Sequence, residues 1–174
     1  MRRILLTLPL LVSATASADD AASKRPEPGA TAPEFSAPAT NGKTITLSEF
    51  KGKKAVVLAF FPKIFTGGCT KEMSGYRDIA ARFADADAQV LGATIDPVED
   101  VKKFSDSLKL PFPILADKDG TVAKAYGVDN GGHADRVTFV IDKEGKVVKT
   151  FSGKDALDPA PALDSCPRAK PKTH

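Results

Sequence analysis

Hydrophobic and polar residues follow two different periods along this chain. Residues 55–61 (AVVLAFF) form an unbroken apolar run, which predicts a strand buried on both faces. Residues 89–95 predict a second strand and residues 113–116 a short third one. Between the first two, Met73, Tyr76, Ile79, Ala80 and Phe83 recur at helical spacing, so a helix is predicted to begin near Cys69. A Pro- and Gly-containing loop, residues 62–68, leads into it. Asp96-Pro97-Val98-Glu99 reads as another helix start. Asp96 caps, Pro97 opens the first turn, and Glu99 takes the capping-box position. That helix runs to about Leu108, with Val101, Phe104 and Leu108 on its apolar side.

Turn chemistry supplies the remaining elements. Asn41-Gly42 centres a hairpin over residues 35–47, and Lys143-Glu144-Gly145 centres a second one joining residues 136–142 to 146–151. Residues 117–120 form a turn before a short helix over 121–126. Strands alternating with helices, closed by a hairpin, predict an α/β fold: a central mixed sheet flanked by helices on both faces.

The ends differ from this core. Residues 1–18 read as a secretory signal: Arg2 and Arg3, an apolar run over residues 4–12, then Ala16-Ser17-Ala18 as a cleavage site. Cleavage there puts the mature start at Asp19 and the protein in the periplasm or the medium. No other segment is long and apolar enough to cross a membrane. Residues 19–33 read as a flexible leader, residues 34–153 as the single domain, and residues 154–174 as a Pro-rich C-terminal tail. Pro159, Pro161, Pro167 and Pro171 argue against helix or central strand in that tail.

Composition narrows the chemistry. The 174 residues are 42% hydrophobic and carry a formal charge of +3. Loss of Arg2 and Arg3 leaves +1, which gives no electrostatic claim on nucleic acid. The chain has two Cys, two His and no Trp. Cys69, His133, Cys166 and His174 show no metal-ligand spacing. His133 reads as a solvent-facing loop residue. One disulfide cannot hold a domain of this size together, so the two cysteines are either inert or the chemistry itself.

Cys69 has the stronger claim. It stands where a buried strand meets a helix N-terminus, whose free N–H groups and partial positive charge stabilise thiolate over thiol. A lone thiolate is a nucleophile.

The residues around it carry a family resemblance. Phe61-Pro62-Lys63-Ile64-Phe65-Thr66-Gly67-Gly68-Cys69-Thr70 resembles the peroxiredoxin signature, with Pro62, Thr66 and Cys69 at the matching positions. Arg136-Val137-Thr138-Phe139-Val140-Ile141-Asp142 is similar to the strand supplying that family's active-site arginine, here Arg136. The opening Gly29-Ala30-Thr31-Ala32-Pro33-Glu34-Phe35 and Tyr126-Gly127-Val128 extend the likeness, which looks most like the bacterioferritin-comigratory-protein branch. The resemblance implies a thioredoxin-like fold and a thiol-dependent peroxidase acting on hydrogen peroxide and organic hydroperoxides in antioxidant defence. It implies that Cys69 attacks and becomes a sulfenic acid, that Thr66 hydrogen-bonds in the pocket, that Arg136 stabilises charge, and that Pro62 shields the sulfur. It also implies a thiol reductant such as a thioredoxin-like protein, a monomer or homodimer, and no cofactor.

Position 74, where many members of that branch carry a resolving cysteine, is Ser74. Cys166, in Asp164-Ser165-Cys166-Pro167, faintly resembles the C-terminal resolving segment of two-cysteine members. Three routes stay open: Cys166 resolves the sulfenic acid, an external thiol does, or Cys166 has no redox role. Two other functions compete. A thioredoxin-like thiol-disulfide oxidoreductase needs Cys-x-x-Cys where this chain has Thr66-Gly67-Gly68-Cys69. A non-catalytic thioredoxin-fold redox sensor would keep the fold without fast peroxide reduction. The absence of Trp weighs against the glutathione peroxidases, whose active site uses one.

Overall fold

The computed structural model describes residues 24–167. The signal segment, residues 19–23 of the leader and residues 168–174 lie outside the described residues. The chain runs through β1 (Ser36–Pro38), β2 (Thr44–Thr46), β3 (Ala55–Phe60), α1 (Gly67–Asp78), α2 (Ala80–Asp85), β4 (Ala88–Thr94), α3 (Val98–Leu108), β5 (Ile114–Ala116), α4 (Thr121–Ala125), β6 (Val137–Ile141), β7 (Val147–Ser152) and α5 (Ala160–Asp164). Strands β1 and β2 form an antiparallel hairpin. The other five build one sheet in the order β5-β4-β3-β6-β7. Its β5, β4 and β3 are parallel, whereas β6 and β7 run antiparallel to their neighbours.

The apolar run explains the centre of this sheet. All six residues of β3 are buried, and its side chains alternate between two cores. Val57 and Ala59 face α1, α2, α3 and α5, where Met73, Tyr76, Phe83, Phe104 and Leu163 pack. Val56, Leu58 and Phe60 face the β1–β2 hairpin and α4, where Ile45, Leu47, Val122 and Tyr126 pack. Phe60, Tyr126 and Phe139 form a ring cluster on that second face, with centroids 5.0–6.0 Å apart. Burying a side chain such as Phe contributes about 1.5–3 kcal/mol, so both faces help to hold the sheet.

Four local expectations need correction. The helix predicted from Cys69 to Phe83 is broken at Ile79 (φ −115, ψ 16) into α1 and α2. The break brings Phe83 into a stack with Tyr76, with centroids 5.7 Å apart. Asp96 does not cap α3: Pro97 is the N-cap, and its carbonyl accepts from the N–H groups of Asp100 and Val101. Asp96 is buried, and its carboxylate is occupied by the loop after β3.

The leader is docked over residues 24–33. Gly29 N–H donates to Val147 O (2.8 Å), Val147 N–H to Ala30 O (2.9 Å), and Ala32 N–H to Gly145 O (2.9 Å). The edge of β7 leaves backbone groups that this segment satisfies. The tail contains α5 despite its prolines. Pro161 falls in the first turn, where a missing N–H costs no helical bond. Leu163 and Cys166 are consequently buried against the core.

Candidate active site

Strand β3 ends at Phe60, and the chain must then turn to start α1 above the carboxyl end of the sheet. Pro62 is half-buried at the start of that turn. Thr66 is the N-cap of α1, and its carbonyl accepts the first helical bond, from Thr70 N–H at 2.9 Å. The N–H groups of Gly67, Gly68 and Cys69 therefore have no partner within the helix. Cys69 sits in this first turn with its side chain sealed from solvent. Cys69 thus stands at the one end of a helix that offers donors and positive partial charge.

Arg136 stands directly before β6, the strand that lies beside β3 in the sheet. Its Nη2 donates to the Cys69 Sγ at 3.4 Å. A Cβ on Gly68 would lie 3.2 Å from that nitrogen, so glycine at position 68 leaves room for the guanidinium. The Thr66 hydroxyl donates to Lys63 O at 3.1 Å rather than capping the helix. With its proton committed, the Thr66 oxygen keeps lone pairs with which to accept. Thr66, Cys69, Arg136 and the half-buried Pro62 thus lie around one loop and helix start, in the combination the sequence singled out.

Glu72 is a site residue that sequence reasoning passed over among the helix charges. One turn after Cys69, it is fully buried, and its Oε2 accepts from Arg136 Nη1. Burial pushes its carboxyl up to about 8, against the opposing pull of the Arg136 charge. Its Oε1 has no hydrogen-bond partner among the described residues. Arg136 is thereby shared between a carboxyl that holds it and a sulfur that can use it. The Cys-to-Glu spacing of three, which puts both on one helix face, was the available signal.

Cys166 lies elsewhere in the same core. It is buried in the cluster that contains Cys69, Met73 and Tyr76, and its thiol donates to Ala162 O at 3.3 Å. Burial pushes that thiol up to about 11. Both cysteines are free. Ser74 is half-buried on α1, and the neighbouring Gly75 meets the ring of Pro159, whose Cδ would be 3.2 Å from a Cβ there. His133 is exposed, and among the described residues no group of acidic, His or Cys side chains could hold a metal ion.

A five-stranded mixed sheet, a single cysteine in the first turn of the helix after its central strand, and an arginine donating to the sulfur define a thioredoxin-fold thiol protein. The AhpC/TSA family model matches residues 28–150. Peroxiredoxin Bcp of Bacillus subtilis is 39% identical over 133 residues, covering 72% of this chain and 84% of that protein. Among solved structures, peroxidoxin BcpB from Mycobacterium tuberculosis superposes with a TM-score of 0.78 at 36% identity, over 82% of this chain and 97% of that one. Xanthomonas campestris peroxiredoxin Q gives a TM-score of 0.71 at 26% identity, over 76% and 89%. The chain belongs to the AhpC/TSA family and is a thiol-dependent peroxidase of the peroxiredoxin kind, an enzyme with an antioxidant role.

Proposed function

We propose that Cys69 is the peroxide-attacking cysteine and that hydrogen peroxide and organic hydroperoxides are its substrates. The observation that carries this is the Arg136 Nη2 to Cys69 Sγ contact at the N-terminus of α1. The thiolate attacks one peroxide oxygen and forms an S–O bond as the O–O bond breaks. The second oxygen leaves with the electron pair, takes a proton, and departs as water or alcohol. Cys69 is left as a sulfenic acid. Arg136 and the free N–H groups of the first turn meet the negative charge as it moves from sulfur to the leaving oxygen. The Thr66 oxygen accepts the proton-bearing end of the substrate, and Pro62 narrows the approach.

A thiol then condenses with the sulfenic acid, releasing water and leaving a disulfide, which a second thiol reduces. We assign the first step to an external thiol. Cys166 is buried and its thiol is held up near 11, so it is a weak nucleophile while α5 stays packed. Resolution by Cys166 is the second reading, favoured by its place in the same core cluster as Cys69. Mass spectrometry without reductant after one equivalent of peroxide separates them. Persistent Cys69 sulfenic acid supports the first, and a Cys69–Cys166 disulfide the second. Residues 1–18 are proposed to direct export to the periplasm or medium; the intact mass of the exported protein tests a mature start at Asp19.

Peroxide consumption with dithiothreitol tests the assignment. Cys69→Ser is expected to lose roughly three orders of magnitude or more in rate. Equal consumption by wild type and Cys69→Ser would refute it and leave the redox-sensor reading standing. Reduction of insulin disulfides by wild type would favour the oxidoreductase instead.

A further inference from the structure

The loop between β3 and α1 carries Pro62 and Thr66, yet it has neither helix nor strand to hold it. Phe65 within it has φ 58, in the left-handed region that a bulky side chain adopts only under constraint. Its ring is 60% exposed, resting edge-on against Phe104 with centroids 5.3 Å apart. One aromatic contact on an exposed side chain does not fix a backbone in a disfavoured conformation.

The constraint comes from a neighbouring strand. Asp96, just beyond the carboxyl end of β4, has a side chain 3% exposed. Its Oδ2 accepts from Ile64 N–H at 3.0 Å and from the Thr94 hydroxyl at 2.9 Å. Its Oδ1 pairs with the Lys63 ammonium. Two consecutive loop residues, one through backbone and one through side chain, are thus tied to a single buried carboxylate. These residues also orient the site: Lys63 O is the acceptor that commits the Thr66 hydroxyl proton. An unbroken chain of hydrogen bonds and short backbone runs from Thr94 through Asp96, Lys63 and Ile64 to the Thr66 oxygen.

We propose that Asp96 is a positioning residue for the peroxidase reaction, acting through Lys63 and Ile64 to hold the loop that presents Pro62 and Thr66 beside Cys69. This rests on the assignment of Cys69 as the attacking residue and of Thr66 as a pocket acceptor. Asp96 touches neither sulfur nor substrate in this scheme. Its effect is to keep the Thr66 oxygen at a fixed place relative to the attacking sulfur. Substrate alignment of this kind is sensitive to displacements of about an ångström.

The test is a single-turnover measurement on the full chain in which hydrogen peroxide oxidises Cys69 and dimedone traps the sulfenic acid for mass spectrometry. Iodoacetamide alkylation of Cys69 is run in parallel. Alkylation needs a reactive sulfur but no aligned peroxide, so the ratio of the two rates reports positioning. Asp96→Asn retains an oxygen that can accept from Ile64 N–H but loses the Lys63 ion pair, and it is expected to lower the ratio about tenfold. Asp96→Ala loses both and is expected to lower it about a hundredfold. Lys63→Met loses the same ion pair while leaving the Ile64 bond, and is expected to fall with Asp96→Asn, about tenfold below wild type. Each variant is assayed well below its melting temperature, so that the native fraction does not change. If Asp96→Ala does not fold, Asp96→Asn decides. An unchanged ratio in Asp96→Asn overturns the proposal, as does a loss that merely follows the melting temperature. Failure of wild type to form sulfenic acid on Cys69 would instead overturn the assignment of Cys69.

Discussion

Arg136 donates to the sulfur of Cys69 at 3.4 Å across 67 positions of sequence, while its other terminal nitrogen pairs with Glu72. The planar guanidinium does both at once because its donors are rigidly spaced. A lysine ammonium would have to choose. Arg136→Lys is therefore expected to lower the peroxide rate constant about a hundredfold, close to Arg136→Ala. Stopped-flow oxidation of the reduced enzyme measures it, and a lysine variant within a fewfold of wild type would show that charge alone suffices.

Glu72 gives this arrangement a pH dependence. Its carboxyl titrates near 8 in the folded protein against an ordinary value of 4.5. The folded state thus binds more protons than the unfolded chain between those values. The stability contributed by neutral Glu72 is complete below about 4.5 and is lost as pH rises through about 8. Above that pH the ionised carboxyl also offsets the positive charge that Arg136 presents to the sulfur. Glu72→Gln is expected to flatten the decline in melting temperature between pH 5 and 8. It should also remove a fall in peroxide rate above pH 8. A mutant profile that parallels wild type in both measurements would show that Glu72 does not titrate in this range.

Gly68 exchanges stability for approach. Alanine would improve helix formation by up to about 1 kcal/mol. Its Cβ would also stand 3.2 Å from Arg136 Nη2 and push the guanidinium off the sulfur. Gly68→Ala is expected to melt at or above the wild-type temperature yet react with peroxide about tenfold more slowly. A parallel change in both quantities would count against this account.

The contact between Gly75 and Pro159 makes a different prediction. A methyl group at position 75 presses on a ring carbon at 3.2 Å, and the five-residue α5 is the last described element to be held. Gly75→Ala is expected to loosen α5 and expose Cys166. Titration with a disulfide reagent under native conditions should then detect a thiol that reacts at least several times faster than in wild type. Unchanged reactivity would mean that Leu163 and Cys166 anchor α5 without Pro159.

How much of this was legible in the sequence depended on the range of the forces involved. Strand β3 declared itself because a strand buried on both faces leaves a run with no polar interruption. Cys69 and Thr66 were legible because a helix start has local chemistry. Asp96 misled because capping is a local preference, and a tertiary demand for the same carboxylate overrode it. Glu72 was hidden among helix charges that are usually solvated; only Arg136, far away in sequence, makes its burial tolerable. The prolines around α5 were weighed as breakers, although a first-turn proline breaks nothing.

The sheet separates two packed layers, and β3 sends alternate side chains to each. Cys69, its helix and Cys166 belong to one layer, whereas Phe60, Tyr126 and Phe139 belong to the other. Repacking around Tyr126 is therefore expected to move melting temperature more than the Cys69 peroxide rate, because the Phe60–Tyr126–Phe139 cluster lies in the layer that does not hold Cys69.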